Sequence, residues 1–341
     1  MPRKSNRFRV IFLLIGVVAV SYMIYKIGVG VIWDNIRVTG WWFVPIIGIW
    51  IVVYLLNTLS WRTIIRDGQT PHVPFLRIFQ MTVSGYAINY TTPVVALGGE
   101  PYRILELRPY VGGAKASSSV ILYSMMHIMS HFLFWATAAI LILAFKSPSI
   151  AVICVVLGII AVCAAFVRFF IKGYRNGLLV KSLRIAAKIP FLGRQVQRMS
   201  AQTMEKIQDT DAKIAELYTC RRKDFFKSLA LEYLSRFVSS LEVYFIVMAL
   251  GMSDFGYIDA VIAIAVTSLL ANILFFAPLQ MGTREGGFLL AFQGMTLASG
   301  LGVYVSLITR IRETFWILVG LALMYRPRNK QIKPITPVSQ S

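Results

Sequence analysis

The sequence predicts an all-α, polytopic membrane protein, with about seven to eight spanning helices and further broken or re-entrant helices in an inverted repeat. Three observations predict it. The 341 residues are 57% hydrophobic and 15% charged, with a mean hydropathy of +0.67; a typical soluble domain carries about 25% charged residues. That balance excludes a soluble enzyme, a disordered chain and a disulfide scaffold. Apolar runs approaching or exceeding the roughly 20 residues that cross a bilayer recur along the chain. Two charged segments broken by proline and glycine stand at one separation, Pro93 to Pro278 and Glu100 to Glu285 both being 185 positions.

The first apolar run, Val10–Tyr25, follows Arg3, Lys4, Arg7 and Arg9. No small-x-small cleavage site succeeds it, so it is expected as a retained span. Clear spans follow at Trp41–Leu59, Ser117–Phe145, Ile150–Ile171, Phe225–Leu250, Tyr257–Pro278 and Val303–Tyr325, with interrupted runs at Phe75–Val95, Ile104–Tyr110 and Gly287–Leu297. The chain therefore divides into a basic N-terminus with the first span (1–40), a first membrane repeat (41–145), a connecting span with a basic loop (146–224), a second, inverted repeat (225–325) and a tail (326–341).

Net charge is +20, and its placement carries the meaning. Residues 172–224 hold 12 basic and 5 acidic side chains, whereas residues 251–260 hold only two acids. The positive-inside rule then puts both termini and the basic loop in the cytoplasm. The charge is a topology signal and an attraction to anionic headgroups, and no nucleic-acid partner is expected. Within the loop, Leu178, Leu179, Leu183, Ile185, Ile189 and Leu192 alternate with Lys and Arg, as in a helix lying on the membrane surface or a solvated connector. Cys154, Cys163 and Cys220 have no metal-ligand spacing, and neither a metal nor any other cofactor is expected.

Each repeat reads as long span, broken helix, Pro/Gly/Glu motif, short helix, long span. By the charge rule Trp41 begins outside and Phe225 inside, so the halves are oppositely inserted. Discontinuous helices in such a repeat meet near the midplane and form a substrate site. Charges at that depth are costly, which makes Glu100, Arg103, Glu232, Arg236, Glu242, Arg284, Glu285, Arg310, Arg312 and Glu313 candidates for one polar cavity. Arg103 and Arg284 offer planar forks for phosphate. Glu100 and Glu285 can balance them, accept a cationic headgroup or take a proton. Alternatively, these four pair only with one another, and Glu232–Arg236 and Arg310–Glu313 pair within their own helices. His127 and His131, four apart, are expected as a buried polar pair or a cavity face.

Gly-Gly-Glu-Pro-Tyr-Arg at Gly98–Arg103, Leu-Glu-Val-Tyr at Leu241–Tyr244 and the segment Pro278–Gly287 together resemble the lysylphosphatidylglycerol synthase transmembrane, flippase-like family, over roughly residues 8 to 326. This chain departs from the family's Pro-Gly-Gly-x-Gly at Pro278–Gly282, which reads Pro-Leu-Gln-Met-Gly. The resemblance implies a bacterial or archaeal multi-pass inner-membrane protein; in bifunctional members this module moves aminoacylated phospholipid to the outer leaflet. Carried onto this sequence, it marks Gly98, Gly99, Glu100, Arg103, Gly282, Arg284, Glu285, Gly286 and Gly287 as substrate-binding. The 16 residues after Tyr325 leave no room for the aminoacyltransferase domain of bifunctional members, so no lysine transfer is expected.

The leading expectation is therefore a flippase-like transporter of a phospholipid or lipid-linked anion, with no catalytic residue and with membrane lipids as its partners. A second copy of the chain or a separate synthase is the protein partner left open. Two alternatives stand beside it: a membrane enzyme acting on an isoprenoid- or phospho-lipid, and a non-catalytic partner in envelope assembly.

Overall fold

A computed structural model describes residues 24–66, 73–91, 98–176, 201–274, 282–295 and 299–324, with isolated positions between 14 and 22 and between 180 and 188, and residues 280 and 297. Most of the expected first span, Pro93, Pro278, the C-terminal tail and most of 177–200 lie outside the described residues. Among the described residues every regular element is helical. In order these are α1 (Val29–Thr39), a 3-10 turn at Gly40–Trp42, α2 (Phe43–Ile65), α3 (Phe75–Thr91), α4 (Gly99–Val111), α5 (Gly113–Phe145) and α6 (Ile150–Asn176). After the basic segment come α7 (Ala201–Cys220), α8 (Arg222–Ala249), α9 (Tyr257–Ile273), α10 (Thr283–Gly294) and α11 (Ser299–Met324).

Helix length sorts these elements. At 1.5 Å per residue, α2, α5, α8 and α11 run about 35–50 Å and span a hydrocarbon core of about 30 Å. By the same measure α3, α4, α9 and α10 run only about 18–25 Å. Each pair folds back on itself, α3 with α4 and α9 with α10. Of the run expected to span at Tyr257–Pro278, α9 covers Tyr257–Ile273 and packs as one arm of a hairpin with α10. Three stretches, Val29–Ile65, Gly113–Phe145 and Ile150–Gly173, are both long and apolar enough to cross a membrane. Helices α8 and α11 are as long but carry Glu232, Arg236, Glu242, Arg310, Arg312 and Glu313. The chain is a multi-pass, all-α membrane protein.

The two halves meet along α2 and α8, which run antiparallel. Trp42 packs on Phe245 at one end, Trp50 bonds Glu242 in the middle, and the Ser60 hydroxyl bonds Ser228 at the other. Arg221 donates to the carbonyls of Thr63 and Ile64 where α2 ends. One hydrophobic core, including Trp61, Met81, Leu107 and Met126, wraps the first hairpin. Another, including Ile46, Val243, Phe288, Phe292 and Ile308, wraps the second. Helix α6 lies against α5 with most of its surface outward, and α7 rests across α5, α6 and α8.

Helices α3 and α11 approach closely because position 320 has no side chain. A Cβ there would lie 2.9 Å from the Val83 carbonyl oxygen and 2.5 Å from the Ala87 Cβ. Neither neighbour is the end of a flexible side chain, so the helices themselves must part. Gly320→Ala is expected to lower stability by about 1–3 kcal/mol, the usual cost of overpacking. Denaturation in detergent followed by tryptophan fluorescence measures it; an unchanged midpoint would contradict this packing.

Candidate polar cavity at the hairpin tips

The tip of the first hairpin is fastened by Asn89. Its Oδ1 accepts from the Gly99 amide at 2.7 Å, and its Nδ2 donates to Glu100 Oε1 at 3.2 Å. A glycosylation sequon begins at this residue, but its side chain is committed to folding the tip. One turn on, Arg103 points between α3 and α5, filling the space left by Gly85. Its guanidinium carbon lies 4.8 Å from the Tyr86 ring centroid, 5.2 Å from Tyr123 and 6.0 Å from Trp61. This aromatic collar supplies ring-face attraction that a hydrocarbon setting otherwise lacks. Glu100 is 3.5 Å away, a loose pairing.

The second tip is held by charge. Gly282, at φ +81°, precedes α10 and donates its amide to Glu285 Oε2 at 2.8 Å. A positive φ suits glycine, and the carboxylate satisfies one of the orphan amides of the helix start. Glu285 Oε1 also accepts from Arg310 Nε at 2.7 Å. Arg284 donates to both carboxylate oxygens of Glu313, at 2.9 and 3.2 Å. The expected pairing of Arg310 with Glu313 along one helix is therefore corrected. Both face α10, whose first turn presents one charge of each sign, and two crossed pairs join α10 to α11.

Between the tips lie two more ionic groups. Arg312 grips Glu242 with two bonds of 2.7 and 2.8 Å, its guanidinium stacked 3.8 Å above Trp50, whose indole N–H donates to the same carboxylate at 2.9 Å. Across the molecule, His127 Nδ1 lies 2.9 Å from Glu232 Oε2, and Arg236 Nη2 lies 2.8 and 2.9 Å from the two ring nitrogens. Arg236 and Glu232 are 3.9 Å apart, with the imidazole bridging them.

These groups surround a cavity of about 320 Å³. Its wall takes Glu100 and Arg103 from the first hairpin, Arg284 from the second, and Arg236, Glu242 and Arg312 from the long helices. Glu232 and Glu313 do not line it but pair with the wall charges Arg236 and Arg284, while Glu285 and Arg310, also outside the lining, pair with each other. The marked glycines Gly98, Gly99, Gly282, Gly286 and Gly287 do not line the cavity. Gly99 and Gly287 instead let the hairpin arms touch: a Cβ on Gly287 would lie 2.7 Å from the Thr267 backbone. The ten charges comprise five arginines and five glutamates, all placed within this one assembly.

Residue charge located the site, but neutral residues complete it. Asn57, Tyr86, Asn89, Tyr123, Thr267 and Ser268 line the cavity and were not singled out as site residues from the sequence. A signal was available. The separation relating Glu100 to Glu285 also relates Asn57 to Glu242 and His127 to Arg312. In one half Arg312 meets Glu242 directly. In the other, Asn57 donates to the Tyr86 hydroxyl at 3.1 Å, and that hydroxyl lies 3.2 Å from His127. A polar link thus joins α2 to α5 through Tyr86, and another joins α8 to α11.

The family described as lysylphosphatidylglycerol synthase TM region matches residues 9–322, which takes in both hairpins and all four long helices around the cavity. The chain belongs to that family. No curated protein and no solved structure matches it. Membership places this chain among membrane proteins of lipid-related function. Of the segments that resembled the family, Gly98–Arg103 and the described part of Pro278–Gly287 lie at the two hairpin tips, and Leu241–Tyr244 lies in α8.

Proposed function

We propose that the protein moves a phospholipid or lipid-linked anion between leaflets, holding the polar headgroup in the central cavity while the acyl chains stay in the bilayer. One observation carries this reading. Six charged side chains meet on the cavity wall, Glu100, Arg103, Arg236, Glu242, Arg284 and Arg312, and four of them are cationic. Charges at membrane depth are costly, so a wall with an excess of arginine suits an anionic polar occupant. Donors and acceptors are mixed, which fits a phosphate together with a hydroxyl- or amine-bearing headgroup. Arg103 and Arg284, one from each hairpin, are the phosphate ligands in this reading, and Glu100 faces the cationic or hydroxyl end. Both termini and the basic loop lie on the cytoplasmic side of a bacterial or archaeal inner membrane.

Arg103→Gln and Arg284→Gln each remove one charge-assisted contact, worth about 1.5–3 kcal/mol. Translocation of a fluorescent phosphatidylglycerol in proteoliposomes, read by chemical quenching of the outer leaflet, is expected to slow about tenfold or more. Unchanged rates in both folded variants would end this assignment.

A further inference from the structure

We propose that the His127–Glu232 couple is a proton-binding site linked to headgroup binding, so that Arg236 passes from His127 to an anionic headgroup as the couple takes up one proton. The proposal rests on the lipid-headgroup reading above and adds what regulates it. Glu232 is completely buried, in the middle of α8. Its Oε2 contacts His127 Nδ1, and its Oε1 has no hydrogen bond among the described residues. The Ser60 and Tyr123 hydroxyls also face this carboxyl, Ser60 while bonding Ser228 and Tyr123 while bonding Tyr86. The charged and titratable groups around it are Arg236 on its own helix, Tyr123, His127 and His131 from α5, Tyr86 from α3 and Arg103 from α4; α2 contributes the neutral Ser60 and Asn57.

With the Nδ1 proton on the bond to the Glu232 carboxylate, neutral His127 accepts from Arg236 through Nε2. That nitrogen is the route from the cavity, because His127 and Arg236 both line it while Glu232 does not. A proton arriving from cavity water bonds to Nε2, and the Nδ1 proton moves to Glu232. The couple gains one proton and no other bond changes. Nε2 can no longer accept, and the Nδ1 lone pair is taken by the protonated Glu232 carboxyl, so the ring no longer accepts from Arg236. Its guanidinium then carries an unbalanced positive charge at the cavity wall, where a phosphate can take it. Proton and anion therefore favour each other, and by reciprocity each raises the affinity for the other by the same factor.

The test uses the full chain in nanodiscs of zwitterionic phosphatidylcholine, titrated with short-chain phosphatidylglycerol. Calorimetry in buffers of different ionisation enthalpy is expected to show about one proton taken up per lipid bound, with affinity rising up to about tenfold for each pH unit lowered between about pH 5 and 8. Glu232→Gln, which cannot gain the proton, is expected to lose this slope, while Glu232→Asp keeps it. Infrared difference spectra of the protein without added phosphatidylglycerol are expected to show a protonated-carboxyl band that Glu232→Gln abolishes. Zero proton uptake in the wild type, or the same pH slope in Glu232→Gln, overturns the proposal. Protein that binds with the expected slope yet moves no lipid between leaflets overturns the transport reading and leaves the proton site standing.

Discussion

Arg312→Leu is expected to destabilise the protein by about 3–5 kcal/mol, the largest effect of any single substitution considered. The reason is what remains behind. Glu242 is 1% exposed, and Arg312 supplies two of its hydrogen bonds. Removing the arginine leaves a carboxylate in the core with only the Trp50 N–H to satisfy it. Trp50 also loses the cation stacked on its face. Removing both charges together avoids that stranded ion, so Arg312→Leu with Glu242→Gln should recover much of the loss. A double-mutant cycle by denaturation in detergent measures the coupling. If the double variant were as unstable as the sum of the singles, the pair would not be acting as a unit.

Gly99→Ala should cost about 3 kcal/mol, combining overpacking with a displaced hydrogen bond. The added methyl would overlap the Gly85 carbonyl oxygen and lie 2.7 Å from Asn89 Oδ1. The first obstacle is backbone and cannot rotate aside. The second is the acceptor that fastens the tip to the Gly99 amide. Parting the arms also shifts Glu100 and Arg103, so lipid translocation should fall with stability. Partial proteolysis near the tip and the quenching assay report the two effects separately. A variant with wild-type stability and transport would show that the seam between α3 and α4 is loose.

The architecture was legible because its causes are local in sequence. Long apolar runs, interruptions by Pro and Gly, and Glu100 and Glu285 at one phase of two similar segments all follow from composition and spacing. The pairing of charges was not legible. Arg310 and Glu313 are suitably spaced to bond each other, and only the approach of α10 turns them toward Glu285 and Arg284. Nor could the part that Asn89 plays in fastening the tip be read without the fold-back of α4 onto α3. The ends of α9 show a third limit. Hydropathy runs on from Tyr257 to Pro278, whereas α9 ends at Ile273 and packs against α10. Hydropathy reports depth in the bilayer, whereas the direction of the chain is set by the turn.

Five arginines matched by five glutamates make the central assembly electrically silent. A transmembrane voltage exerts about 2.3 kcal/mol per elementary charge per 100 mV on whatever crosses it, but a balanced cluster gives that field no net handle. In the transport reading, the net charge that crosses is then that of the cargo. A singly anionic lipid accompanied by one proton is neutral as a pair, and its passage would neither be driven nor resisted by the membrane potential.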